Sequence, residues 1–347
     1  MTINTKLIRD FLTTLTSSDG VSVMDYVTSI DVNDSKIQVL FEGNSDQLKT
    51  LEEIRALCES ALKKQYPDWQ ILCALVAERK NKKQQTFESL RGIKHIIAVA
   101  SGKGGVGKST TTVNLGFALT RLGYNVGILD ADIYGPSLPT MMGLSDKPDV
   151  TADKKLLPAM AHGIACMSIG LLIPADTPMV WRGPMVQGAL MQLLKDVAWG
   201  ELDVLLIDMP PGTGDVQLSL AQQASLSGAV IISTPQDIAL IDARKGLAMF
   251  DKVEVPILGI VENMSVFMCS NCGHESHIFS HGGAKETAAQ LGVPFLGDIP
   301  LTLEIRQCAD AGQVIQDESS MQAYKQAAES MLANIDRYAK GAPRIKL

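Results

Sequence analysis

The chain has 347 residues, 46% of them hydrophobic and 20% charged, with a formal net charge of -7; it is long enough for two cores and has the composition of an ordinary globular protein. The acidic balance argues against general nucleic-acid binding, which needs a basic footprint, and no run of about 18 apolar residues offers a membrane span. The N-terminal MTINTKLIRDFL lacks the apolar core of a secretory signal, and six scattered cysteines are too few for a disulfide framework, which points to the reducing cytoplasm.

The charge is unevenly spread: residues 1–94 carry 13 basic and 13 acidic side chains, so the other 18 basic and 25 acidic side chains place all the excess acidity in the second part. Within the first part, Leu7, Phe11, Leu12 and Leu15 recur at helical spacing, and two β-rich runs in VSVMDYVTSIDVNDSKIQVLFEG flank the turn VNDSK. Residues 46–65 return to helical spacing through Leu48, Leu51, Ile54, Leu57 and Leu62, and WQILCALVA closes as a strand. The order α-β-β-α-β makes residues 1–80 a small α+β domain. Cys58 and Cys73 fall on the apolar faces of its second helix and last strand, where burial is expected. The polar stretch ERKNKKQQTFESLRG, residues 78–92, then reads as a linker, placed at 81–92.

Residues 93–347 change texture. The aliphatic runs HIIAVA, NVGILD, DVLLID, GAVIIST and PILGIVEN alternate with longer amphipathic segments, the pattern of an α/β fold with a mainly parallel sheet and helices on both faces. Ligands bind such sheets at the C-terminal strand ends. After the first run comes Gly102-x-x-x-x-Gly107-Lys108-Ser109, a Walker A motif in the strand-to-helix context it requires. Its backbone from Gly102 through Lys103, Gly104, Gly105, Val106 and Gly107 to Thr110 is suited to cradle phosphates, with Lys108 charging the β and γ oxygens and Ser109 offering its hydroxyl to Mg2+.

The later strand ends supply further parts. Asp208, closing DVLLID, suits a Walker B carboxylate for Mg2+, and Pro210 to Gly214 form a loop near the γ-phosphate. GILDADIYGPS carries Asp130 and Asp132; Asp132 is placed to orient an attacking water, although an acid there also caps helices or closes turns. VWRGPMVQGALMQLL sets Arg182 just before an apolar helix, where an interface role is expected. In MCSNCGHESHIFSH, Cys269-x-x-Cys272 allows both sulfurs to face one metal. Three readings stand open: a zinc knuckle completed by two of His274, His277 and His281, half of a cluster site shared with a second subunit, or two small buried residues. Cys166 and Cys308 have no close thiol partner and are assigned to no metal.

The second lysine of the P-loop, Lys103, makes KGGVGKST resemble the deviant Walker A of the MinD, ParA and nitrogenase iron protein class. That resemblance implies a slow, dimer-dependent ATPase in which Lys103 reaches the partner's nucleotide as an added catalytic charge beside Lys108 and Asp132, and in which Asn263 of GIVENMS contacts the adenine. Over residues 95–340, the ordered motifs GKGGVGKST, DADIYGPSLP, WRGPMV, DMPPGTGD, VENMS, CSNCG and GVPFLGDIPL resemble the Mrp/ApbC family of P-loop iron-sulfur cluster carriers. The resemblance implies a homodimer in which Cys269 and Cys272 of each copy bridge a [4Fe-4S] cluster, with the histidines left out of the ligand set. It also implies ATP and Mg2+ as cofactors, apo iron-sulfur proteins as recipients and cluster-assembly scaffold proteins as further partners, with neither nucleic acid nor membrane. The N-terminal domain is similar to the small domain of metal-sulfur cluster assembly proteins, but SSDGVSVMDYV replaces the usual DPE-type acidic turn.

Two other functions fit a P-loop. A ParA/MinD-type positioning ATPase needs a basic patch or an amphipathic terminal helix, which IDRYAKGAPRIKL does not supply. A zinc-stabilised regulatory ATPase would use the same cysteines for structure.

Overall fold

The structure is a computed structural model that describes residues 5–16, 20, 22–33, 35–44, 48–78, 90–173, 183–269 and 271–339. Most of the expected linker and all of Arg182 lie outside these residues. Contacts divide the chain into two compact units, Met1–Gln84 and Gln85–Leu347.

The first unit runs α1 (Thr5–Thr13), β1 (Val27–Asn33), β2 (Lys36–Asn44), α2 (Leu48–Gln65) and β3 (Gln70–Glu78). The sheet order is β1-β2-β3, with an antiparallel β1–β2 hairpin and a parallel β2–β3 pair joined across α2. In α1 the inward face is Ile8 and Leu12, one turn apart, while Leu7 is exposed. In α2 the buried positions are Leu51, Ile54, Cys58 and Leu62, and Leu57 is turned outward. The apolar period was readable; which of two adjacent leucine-like positions faces inward depends on where the sheet lies. Cys58 and Cys73 are both buried in this core, as their faces required.

The second unit is built on nine strands: β4 (Ile93–Ala100), β5 (Val126–Asp130), β6 (Ala159–Ala161), β7 (Ile164–Ser168), β8 (Leu202–Asp208), β9 (Gly228–Ser233), β10 (Ile257–Met268), β11 (Glu275–Ser276) and β12 (Phe295–Leu301). The order across the sheet is β12-β10-β9-β4-β8-β5-β7-β6, with every neighbouring pair parallel except β6, and β11 hairpins back on the end of β10. Its helices are α3 (Lys108–Arg121), α4 (Leu138–Met141), α5 (Gly183–Lys195), α6 (Asp215–Gln223), α7 (Asp237–Lys252), α8 (Gly283–Leu291), α9 (Leu303–Ala311) and α10 (Glu318–Ala339).

Alternation along the strands sorts these helices into two layers. In β4, Ile96, Ala98 and Ala100 join one core with residues of α5, α6, α7 and α8, whereas Ile97 and Val99 join the other with residues of α3, α4, α9 and α10. A strand covered on both faces needs apolar residues at every position, which is why these runs show no polar alternation. The parallel order places the ends of β4, β8 and β5 side by side, with β10 one strand beyond β4 across β9: Val99 pairs with Asp208, and Asp208 with Asp130. No helix among the described residues is long and apolar enough to cross a membrane.

Candidate functional site

The P-loop leaves β4 at Ala100 and enters α3 at Lys108. Gly105 and Gly107 adopt φ of +81° and +79°, a region that glycine enters without a Cβ clash. Two further constraints act on its glycines: a methyl group at Gly102 would run into the backbone of Asp242 in α7, and one at Gly107 into the Asn263 amide. No side chain caps the N-terminus of α3. Its first backbone N-H groups, with the positive end of the helix dipole, are therefore available to an anion.

Lys108 is only 6% exposed, and its Nζ lies 2.6 Å from Asp208 Oδ1 and 3.2 Å from Ser109 Oγ. Thr112, one turn along α3, donates its hydroxyl to the same Asp208 oxygen at 3.0 Å. A positive charge thus already sits between the two oxygens expected to hold Mg2+. That donor set, one hydroxyl and one carboxylate, suits a hard cation.

Asp130 is completely buried at the end of β5. It accepts hydrogen bonds from Ser168 Oγ at 3.0 Å, Asp132 N at 3.0 Å and Leu138 N at 3.2 Å, so it organises the loop that follows the strand. Burial and then the neighbouring Asp208 charge push its carboxyl up to about 7. Asp132 is half-buried on that loop, and burial raises its carboxyl as well, against the opposing pull of Lys108. Both acids thus organise the loop: Asp130 from beneath it, and Asp132 through the backbone N-H groups of Gly135 and Tyr134, while Lys108 and Asp208 are close enough for their charges to act on Asp132. Lys103 is half-buried and forms no ion pair among the described residues.

The loop after β8 has its own fastener. Gln217 in the first turn of α6 is 3% exposed; its amide donates to Pro210 O at 2.8 Å and accepts from Gly214 N. Gly212 N donates to Ser101 O at 3.0 Å, which ties this loop to the P-loop. The sequence signal for Gln217 was the Gly-x-x-Gln spacing ahead of a helix, half of a capping box.

β10 connects the two candidate sites. Asn263, 7% exposed, donates from Nδ2 to Val106 O of the P-loop at 2.8 Å. Next to it, the buried Glu262 accepts from Gly282 N at 3.0 Å and Ala284 N at 2.8 Å, capping α8 where the cysteine loop returns. Met264 follows with φ of +59°, within an irregularity of the β10–β12 register. The strand then runs on to Met268 and pairs antiparallel with β11, so that Cys269 and residues 271–274 lie at a hairpin tip.

At that tip Cys269 N donates to His274 O at 2.9 Å and Gly273 N to Cys269 O at 2.8 Å, with Gly273 at φ of +70°. The backbone N-H groups of Asn271 and Cys272, followed by the Cys272 thiol, point at the Cys269 sulfur and hold its thiol below the ordinary value. Cys269 is half-buried and Cys272 exposed. This is a knuckle that favours a thiolate at Cys269 beside the exposed Cys272. The histidines are arranged otherwise: the rings of His277 and His281 lie 4.4 Å apart and tilted on each other, and His277 Nδ1 approaches Ser265 O at 3.4 Å. Among the described residues, no three His, Cys, Asp or Glu side chains converge as ligands for one metal ion. Cys166 is buried in β7 with its thiol pushed up to about 12 by burial, and Cys308 lies on α9.

Comparison with known proteins bears on this arrangement. Residues 92–336 match the model of a ParA-type family described as NUBPL iron-transfer P-loop NTPase. The chain is 46% identical over 334 residues to an iron-sulfur cluster carrier protein of Salmonella typhimurium, covering 93% of this chain and 87% of that one. A nucleotide-binding protein from Archaeoglobus fulgidus, solved in complex with ADP and with cobalt, superposes with a TM-score of 0.60 at 41% identity, covering 68% of this chain and 93% of that one. The cell division ATPase MinD of Pyrococcus furiosus shares the fold, with a TM-score of 0.51 at 24% identity over 69% of this chain and 99% of its own.

Proposed function

The chain belongs to the ParA-type NUBPL iron-transfer P-loop NTPase family, and we propose that it binds and hydrolyses ATP and carries a labile [4Fe-4S] cluster between two copies of itself for delivery to apo-proteins. The observation that carries this reading is the knuckle at the end of β10. Cys269 and Cys272 supply two thiolates, half of the four that ordinarily hold a [4Fe-4S] cluster, so a second copy with the same pair completes the set. One sulfur is exposed, which suits a cargo that must leave.

The nucleotide half follows from the P-loop. Backbone N-H groups from Gly102 to Thr110 and the N-terminus of α3 would receive the phosphates, and the Lys108 ammonium would exchange the Asp208 carboxylate for phosphate oxygens. Ser109 and Asp208 are the residues that would hold Mg2+, which when bound neutralises charge on the phosphates. Asp132 would orient the attacking water. Lys103, reaching a second copy's nucleotide, would add charge where it develops in phosphoryl transfer; hydrolysis would then be slow and dimer-dependent. Asn263, already fastened to Val106, would border the adenine, and the motion of β10 would reach the cysteines at its end. Apo iron-sulfur proteins and cluster-assembly scaffolds would be the partners, in the cytoplasm, and the residue 1–80 domain, joined through 81–92 to the ATPase of 93–347, would be accessory to delivery.

Anaerobic reconstitution with iron and sulfide tests the proposal. Four irons and four sulfides per two chains are expected, with a visible charge-transfer band, in wild type and none in Cys269→Ala or Cys272→Ala. One zinc per chain, or iron loading that survives loss of both thiols, overturns it.

A further inference from the structure

A second pair of sulfurs lies within the small unit. Cys58 on α2 and Cys73 on β3 have their Sγ atoms 3.9 Å apart. Cys58 is fully buried and Cys73 is 8% exposed. The contact is fixed by backbone geometry rather than by one adaptable side chain: α2 turns Ile54, Cys58 and Leu62 inward at four-residue spacing, and β3 alternates an exposed Leu72 with the inward Cys73. A disulfide needs its sulfurs at about 2 Å. The sulfurs must therefore approach by about 2 Å for the bond to form.

We propose that Cys58 and Cys73 form a redox modification site, a dithiol that a hydroperoxide converts to an intramolecular disulfide, separate from the cysteine hairpin. The two thiols have different parts. The contact with Cys58 holds the Cys73 thiol below its ordinary value, against burial and the Glu59 charge and with help from Arg55 and Lys63. The same contact, with burial and the neighbouring charges added, drives the Cys58 thiol far upward. Cys73 is also the less buried of the two, 8% exposed against 0% for Cys58. It is the attacking sulfur, and Cys58 the resolving one.

The steps balance with hydrogen peroxide as oxidant. The Cys73 thiolate attacks one peroxide oxygen, the O-O bond breaks, Cys73 becomes a sulfenic acid, and the departing hydroxide takes up a proton as water. The Cys58 sulfur then attacks the sulfenic sulfur; the S-O bond breaks, the S-S bond forms, and the Cys58 proton leaves with the hydroxyl as a second water. Two electrons pass from the thiols to the peroxide. The bond ties α2 to β3 across a separation of 15 residues, which constrains the unfolded chain and stabilises the oxidised unit.

The test uses the full chain, treated with hydrogen peroxide, denatured in an alkylating agent and mapped by peptide mass spectrometry. The exposed Cys272 serves as the internal measure that oxidant was sufficient. The expected result is a linked peptide joining Cys58 to Cys73, lighter by two hydrogens and released by dithiothreitol, in equal yield in a Cys269→Ser/Cys272→Ser background. With Cys58→Ser, Cys73 is expected to be trapped by dimedone as its sulfenic acid; with Cys73→Ser, Cys58 is expected to remain unlabelled. Recovery of Cys58 and Cys73 as alkylated thiols when Cys272 is oxidised, or their linkage to any other cysteine, overturns the proposal. The wild-type map needs no variant to fold, and neither nucleotide nor cluster enters the readout.

Discussion

Replacing Lys108 by methionine removes an ammonium from a buried pair while keeping most of the side chain's volume. The ammonium lies 2.6 Å from Asp208, with side-chain exposures of 6% and 3%. Without it, Asp208 keeps the Thr112 hydroxyl but faces Asp130 in register across β5 and β8. Stranding one partner of a buried ion pair costs about 3–5 kcal/mol. For a domain of more than 150 residues, at about 2–4 °C per kcal/mol, the melting temperature should fall by roughly 6–20 °C. The double variant Lys108→Met/Asp208→Asn removes the stranded charge and should recover most of that loss. Lys94→Met, which breaks a pair of similar length at 2.7 Å whose lysine is 71% exposed, should melt close to wild type. Differential scanning calorimetry without nucleotide or Mg2+ measures all three. A Lys108→Met protein that melts with the wild type, or a double variant no better than the single one, would refute the reasoning that Lys108 is the structural counter-charge of Asp208.

Other changes test neighbouring parts. Asp130 has its carboxyl raised from 3.8 to about 7, so as pH rises through that window the unfolded chain releases a proton that the folded protein retains; this group's contribution therefore makes stability fall with pH. Asp130→Asn should flatten that fall in melting curves taken from pH 5 to pH 8 without nucleotide or Mg2+, and an unchanged slope would count against it. Glu262→Ala leaves the buried donors at the N-terminus of α8 without an acceptor and should cost about 1–3 kcal/mol by urea unfolding, with faster hydrogen exchange at Gly282 and Ala284. Lys103→Ala should retain ADP binding by calorimetry and lose most ATP turnover; equal loss of both would assign it to binding alone. Cys269→Ala should leave ADP affinity unchanged, and a weakened affinity would mean that the hairpin also supports the P-loop.

The sequence by itself determined the layered α/β plan, the small α+β unit and the P-loop, because each rests on local information. Uninterrupted aliphatic runs report strands covered on both faces, and the glycines of a phosphate loop are demanded by backbone angles within a few residues. Cys269 and Cys272 stood out as a candidate pair for the same reason, since their three-residue spacing is itself local information. Other features depend on strand order, which no window of sequence contains. The spacing of Leu7, Phe11, Leu12 and Leu15, and of Leu48, Leu51, Ile54, Leu57 and Leu62, gave helical faces but not their rotation, and in the fold Leu7 and Leu57 turn outward. The anchoring of Asp130 waited on Ser168, which reaches it only because β7 lies beside β5. Lys108 and Asp208 meet across 100 residues, and Asn263 meets Val106 across 157. Cys58 and Cys73 looked like two separate buried residues until α2 lay on β3. Those meetings are set by tertiary packing, because a contact between distant residues exists only once the sheet has fixed which strands are neighbours.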